Sequence, residues 1–421
     1  AQIRGEKGTV VRLNVIPVDA IGESSATVVS ITRDTVKLED QSAKKEVIEL
    51  SYNGEMYKIG IIDLPTFYFD FEAASRGDAD FKSSTRDVHA LLDELKEEDV
   101  DAVVVDLRNN GGGSLSEANQ LVGLFIETGA TVQIRYSGLR NGFTRSFGDS
   151  DPEVAYTGPL AVLVNRTSAS ASEIFAGAIQ DYQRGIVLGG QTFGKGPVQE
   201  IIPMDYGQVK LTRSKFYRIS GESTQHRGVI PDISFPDFYD AYEDIGESSL
   251  DGALPWDTVR AVEYTPYHAI QALVPELQQR YDDRAQKSPD FIYLRDQIER
   301  ARVMRQREQL SLNELEVKQE REENRRIEFD AENMRRLLKG LTLNEWVEDP
   351  NAEEEEEEEE LVAISDTSPA DESVEDAVEE ELEEDEGDPL LLESGRILAD
   401  FISLNSNRVS SVSPGNTPQN R

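Results

Sequence analysis

NRTSASASEIFAGAIQDYQRGIVLGGQTFGKGPVQ, residues 165–199, decides how the rest of the chain reads. It follows an apolar run, Leu160 to Val164, of the kind that forms a buried strand. Its portion from Ser170 to Asp181 places Ile174, Phe175 and Ala178 on one face of a helix. Ser170 therefore falls at or just before a helix N-terminus. Serine is favoured there as a cap, but Ser168, Ser170 and Ser172 cannot all cap one helix, so at least one has another reason to be present. A helix start also presents unpaired backbone N–H groups, which is what a developing oxyanion requires.

A hydroxyl nucleophile needs a base. The chain has only three histidines, His89, His226 and His268, and none sits in a glycine-rich or strand-end setting that suggests catalysis. A lysine serves instead when desolvation leaves its amine neutral near physiological pH. Lys195 is the candidate: it stands between Gly194 and Gly196, beside Phe193 and Pro197, with no other charge from Gly185 to Gln199. Taken without Ser170, it reads as a surface turn lysine.

The pattern S-A-S-A-S-E is followed by an aspartate eleven residues beyond Ser170, Asp181, and by a lysine twenty-five beyond it, Lys195, in F-G-K-G-x-V-Q. With D-L-R-N-N-G-G-G at Asp106 to Gly113 and H-R-G-V-I-P-D-I at His226 to Ile233, this resembles the tail-specific, carboxy-terminal processing serine proteases. The resemblance implies a serine/lysine dyad endopeptidase with a crotonase-like layered sheet-and-helix core. Ser170 is then the nucleophile and Lys195 the general base, with Asp181 in the catalytic set and Glu173 in support. The oxyanion hole is implied at the Ala171 N–H together with Gly112 or Gly113. The resemblance further implies no cofactor and no metal, protein and peptide substrates with apolar carboxy-termini, an envelope adaptor protein as a candidate partner, and a periplasmic location. A carboxylate touching Lys195 would oppose its role as a base, so Asp181 and Glu173 are expected to orient or buttress neighbours.

Composition sets outer bounds. At 421 residues with 38% hydrophobic residues the chain can build two or three domains. It has no cysteine, which excludes thiolate catalysis, cysteine-ligated zinc and disulfides. The net charge of -39 is uneven: residues 349–388 hold 22 acidic residues and no lysine or arginine, leaving -17 elsewhere. Nucleic acid is not expected as a partner, because phosphate binding needs basic clusters. No apolar run is long enough for a membrane span, and AQIRGEKG at the start does not read as a signal peptide, so the chain is expected to be a mature form or a fragment.

In order, residues 1–19 read as one alternating strand that resembles the closing strand of a PDZ domain. Residues 20–238 read as the protease core. It opens on polar strands near Ala26 to Leu38 and Lys45 to Leu50, with a polar hairpin around Ser42 to Lys45. The S-x-x-K there lacks its S-D-N and K-T-G companions and is taken as chance. Strand and helix alternation then begins: Ile59 to Leu64, Thr85 to Glu98, Ala102 to Leu107 and Leu115 to Ile126. Gly111 to Gly113 lacks the third glycine and the acidic partner of a dinucleotide site, and Gly189 to Lys195 lacks the Ser or Thr and the helix of a phosphate-binding loop. Residues 239–348 read as a helical extension, with a solvated hairpin over Phe291 to Leu341. Ala253 to Trp256 with Glu276, and Asp388 to Leu392, resemble the extension of the bacterial periplasmic branch. An acidic disordered linker is expected at 349–387, a docked helix at 388–404 and a loose tail at 405–421. The alternative reading from another class is a non-catalytic scaffold that uses the extension and linker. Coenzyme A chemistry is a remote third by fold analogy alone.

Overall fold

The computed structural model describes residues 3, 5–15, 27–33, 42–79, 81–137, 142–242, 244–307, 309–346 and 387–411. The acidic linker expected at 349–387 lies outside the described residues apart from Gly387; the loose tail expected at 405–421 lies outside them beyond Ser411, and its first residues, 405–411, instead continue the last helix. Two compact units are present, residues 1–42 and 43–421.

In the first unit, β1 (Val10–Val15) pairs antiparallel with β2 (Thr27–Thr32), Val10 opposite Thr32 and Val15 opposite Thr27. A lone strand would leave its backbone groups unpaired. The unit therefore runs to Ser42, where the sequence reading ended it at residue 19. The polar hairpin expected around Ser42 to Lys45 is corrected too, because Lys44 and Lys45 open a long strand that pairs with the one after it.

The second unit opens on β3 (Lys44–Tyr52) and β4 (Glu55–Asp63), joined by Asn53-Gly54 with φ of 53° and 84°. An Asn-Gly pair with both φ positive is the hairpin turn whose twist matches its strands. α1 (Phe71–Ser75) and α2 (Ser84–Glu97) lead to β5 (Ala102–Asp106), and α3 (Leu115–Gly123) to β6 (Gly129–Tyr136) and β7 (Phe143–Asp149). β8 (Leu160–Val164), α4 (Ala171–Asp181) and β9 (Ile186–Gly189) follow, then the hairpin β10 (Pro197–Pro203) and β11 (Gln208–Tyr217), and the short β12 (Ile233–Ser234). One sheet has the order β12-β9-β8-β5-β4-β3, parallel except for β3; the other has the order β10-β11-β6-β7.

β5 reads AVVVD and β8 reads LAVLV, and every residue of both is buried. Strands of that composition need cover on both faces. On one face Val103, Val105, Leu160 and Val162 meet Leu92 of α2, Leu121 of α3 and Phe175 of α4. On the other, Ala102, Val104, Ala161 and Leu163 meet three C-terminal helices: α5 (Val274–Ala285), α6 (Pro289–Arg305) and, after α7 (Glu314–Lys339), α8 (Pro389–Ser411). Leu277, Tyr281, Phe291, Ile397, Leu398 and Phe401 supply that cover. A buried charge cluster fastens it: Arg284 bonds Glu393, Asp400 and the Tyr52 hydroxyl, and Arg280 also bonds Asp400. The helical extension is thus the second wall of the core.

Candidate active site

The turn from β8 into α4 is stitched to the turn after β5 by the two serines that do not start the helix. Ser168 Oγ donates to the Leu107 carbonyl at 2.8 Å, and Ser172 Oγ donates to the Asn110 carbonyl at 2.8 Å. Asn165 and Asn109 add side-chain and main-chain bonds across the same gap. Between the buried pair, Ser170 is half-buried with φ 58° and ψ -105°, a backbone state that non-glycine residues rarely adopt. The surrounding bonds hold it there, at the first turn of α4, where the Ala171 N–H has no intrahelical acceptor.

Glu173 organises the site. Its side chain is fully buried and accepts four hydrogen bonds: from Ser170 N at 2.7 Å and Lys195 N at 3.0 Å on Oε2, and from Gly194 N and Thr192 Oγ1, both at 2.7 Å, on Oε1. With Ser170 and Lys195 on one oxygen, their backbone nitrogens lie within 5.7 Å of each other, the most that bonds of 2.7 and 3.0 Å allow. Burial pushes the Glu173 carboxyl up to about 7, against the pull of those four donors. Sequence reasoning gave this residue only a supporting place.

The lysine loop is held from its other side by the segment before and within His226 to Ile233. Gln225 Oε1 accepts from Gly196 N at 3.0 Å, His226 N donates to the Gly194 carbonyl at 2.9 Å, and Val229 N donates to Thr192 Oγ1 at 2.7 Å. Gly194 has φ 90°, and a Cβ there would stand 2.8 Å from the His226 carbonyl carbon, so the frame around Lys195 needs glycine. Lys195 itself is half-buried.

Gly112 and Gly113 separate into two roles. The Gly112 N–H is taken by Asn110 Oδ1 at 2.9 Å, and a Cβ on Gly112 would lie 2.9 Å from Ser170 Cβ and 3.1 Å from Ala171 N. Gly112 therefore lets the turn after β5 lie directly against the serine. Phe67 N bonds the Gly112 carbonyl and Ser114 N bonds the Phe67 carbonyl, a ladder that skips the Gly113 N–H. Asn110, fully buried and anchored by Nδ2 to the Leu64 carbonyl at 2.7 Å, was not singled out from sequence, nor were Thr192 and Gln225. Each is an ordinary polar residue whose importance comes from long-range partners.

Asp181 is not brought to the site, which corrects its place in the catalytic set. It ends α4 eleven residues past Ser170, roughly 16 Å along the axis at 1.5 Å per residue. Both of its oxygens are held by Arg218, at 2.6 Å from Nη2 and 3.1 Å from Nε. Asp181→Ala is expected to cost about 2–3 kcal/mol of stability, because the half-buried Arg218 loses its only carboxylate among the described residues while keeping bonds to Gln180 Oε1 and the Gly177 carbonyl. Activity per folded molecule should survive. A melt run beside a titrated active-site assay checks this, and loss of turnover without loss of folded protein would return Asp181 to the chemistry.

Among the described residues, no three histidine, aspartate or glutamate side chains group to hold a metal ion, and no helix is long and apolar enough to cross a membrane. The sequence pattern of Peptidase family S41 matches residues 58–235, and that of the C-terminal domain of tail specific protease (DUF3340) matches 241–403. The chain is 38% identical over 348 residues to the tail-specific protease of Haemophilus influenzae, covering 80% of this chain and 46% of that one. It is 32% identical over 259 residues to the carboxy-terminal-processing protease of Bartonella bacilliformis, covering 60% of this chain and 54% of that one. It thus spans about half the length of the curated relatives it matches. A solved structure described as a photosystem II D1 C-terminal processing protease is 27% identical, with 55% of this chain and 56% of that chain covered and a TM-score of 0.38.

Proposed function

We propose, from the premise that this chain belongs to peptidase family S41, that it is a serine endopeptidase acting through a Ser170 and Lys195 dyad. Its substrates on this reading are unfolded or carboxy-terminally marked proteins of the bacterial envelope. The observation that carries the reading is the single Glu173 oxygen that accepts from the main chains of both Ser170 and Lys195. A carboxyl oxygen that takes the main chains of both residues, and neither side chain, has one evident use there, to fix the two residues against each other.

Ser170 Oγ attacks the scissile carbonyl carbon as its proton passes to Lys195 Nζ. The carbonyl oxygen becomes an oxyanion and takes hydrogen bonds from the N–H groups of Ala171 and Gly113. Collapse breaks the C–N bond, and the departing amine takes the proton from Lys195. Water then adds to the acyl carbon and gives a proton to Lys195, which returns it to the Ser170 oxygen as the product acid leaves.

A pH series tests this with the sign fixed in advance. As pH falls through about 7, Glu173 gains a proton and one of its four acceptor positions becomes a donor, so the site loosens and the rate falls. Its folded value lies above the ordinary 4.5, so the folded state keeps a proton that the unfolded chain has lost, and stability declines as pH rises from 4.5 to about 7. Activity and melting temperature should therefore move in opposite directions over that window, and Glu173→Gln should flatten its share of the stability change. Chelators should leave the rate unchanged. Chelator-sensitive cleavage of an unfolded protein substrate would sink the serine/lysine reading.

A further inference from the structure

One face of the β10-β11-β6-β7 sheet carries a groove of about 770 Å³ whose lining includes Arg135, Arg213, Lys215, Tyr136, Leu254 and Asp257. Three cations and one carboxylate line it, on a chain whose net charge is -39. Its position ties it to the site: Lys215 pairs with Pro197, and Phe216 N bonds the Gly196 carbonyl at 2.9 Å, one residue beyond Lys195. Lys215 and Arg135 are also direct cross-strand partners, and like charges so placed repel. The Asp257 carboxylate bridges them, bonding Lys215 Nζ and standing 3.5 Å from Arg135 Nη1.

Arg213 is the next cation along the groove. The register of β11 against β10 slips there, Thr212 opposing Gln199 and Ser214 opposing Val198, so Arg213 is the extra residue of a β-bulge. Bulges re-aim a side chain and collect beside active sites. Arg213 faces Glu200 at 3.4 Å with both side chains 53% exposed, and Arg135 is 48% exposed. Pairs this open to water are weak and exchange partners readily.

We propose that this groove is a subsite for an acidic stretch of the substrate polypeptide, seating carboxylates on the exposed guanidinium groups of Arg213 and Arg135, while Lys215 lies buried beneath them on the Pro255 carbonyl and Asp257. The proposal rests on the endopeptidase reading for its substrate and deepens it, giving the enzyme a charge preference in the segment beside the scissile bond.

Two quenched peptides that differ only in Glu-x-Glu against Gln-x-Gln test it. The intact chain should prefer the acidic one in kcat/KM by about fivefold at low salt, with the preference shrinking at high salt. Arg213→Glu should reverse the ratio. An unchanged ratio in Arg213→Glu overturns the subsite. Anisotropy of both labelled peptides on Ser170→Ala reads binding without cleavage. Tighter binding of the acidic peptide that is lost when Arg213→Glu is added supports the groove even if neither peptide is cut, an outcome that would count against proteolysis alone. Equal binding of the two peptides removes the groove whatever the cleavage result.

Discussion

Ser170→Ala and Lys195→Ala are each expected to lower peptide hydrolysis by at least about 10⁴-fold while leaving the melting temperature within a degree or two of the parent. Ser170 is held by main-chain bonds and by its neighbours Ser168 and Ser172, so removing its Oγ takes nothing from the bonds that stitch the turn. The Lys195 N–H likewise bonds Glu173 through the main chain, which alanine retains. On the proposed mechanism nucleophile and base work as one unit, so the double variant should be little worse than either single one. Single-turnover assays with a labelled unfolded protein, run beside thermal melts, decide the matter. Near-parental turnover in Lys195→Ala would take the lysine out of the base role.

The second large effect is at Glu173, where both activity and stability should suffer. Glu173→Ala strands the N–H groups of Ser170, Gly194 and Lys195 with no acceptor, an expected loss of about 3–9 kcal/mol at 1–3 kcal/mol for each group. Glu173→Gln is the sharper probe. Its amide can face Thr192 Oγ1, but that hydroxyl already accepts from Val229 N, and the Gly194 N–H then has no acceptor. Glutamine should fold, with kcat down about 100-fold and KM little moved, as a misplacement of the lysine loop by an ångström would give. Parental kcat in a well-folded Glu173→Gln would show that the shared oxygen is structural only.

The apolar run of β5 could be read from sequence as a strand covered on both faces and that of β8 as a buried strand, because five consecutive apolar side chains leave no solvent side. Which segments would provide the cover could not be read. The helices that do so are amphipathic pieces far along the chain, and periodicity gives a helix its apolar face without naming its partner. Ser170 and Lys195 stood out because a serine at a helix start and a lysine framed by glycines are locally unusual. Asp181 was given catalytic standing by the family resemblance, yet the residues alone read it as a buttress at a helix end, and the carboxylate sits at the far end of α4 on Arg218. Glu173 shows the reverse. Its neighbours in sequence suggest a helix-start acid, while three of its four donors come from residues 192 to 195.

The second wall of the core has a consequence for synthesis. The ribosome delivers β12 at residue 233, but the apolar face of the sheet gains Ile397, Leu398 and Phe401 only after more than 160 further residues. At 5–20 residues per second that interval lasts roughly 8–30 s. For most of it, the nascent chain carries Ser170 and Lys195 on a sheet whose other side is covered only in part, by Leu277, Tyr281 and Phe291. α8 completes the cover, so the sheet behind Ser170 and Lys195 reaches its final packing only after α8 has left the ribosome.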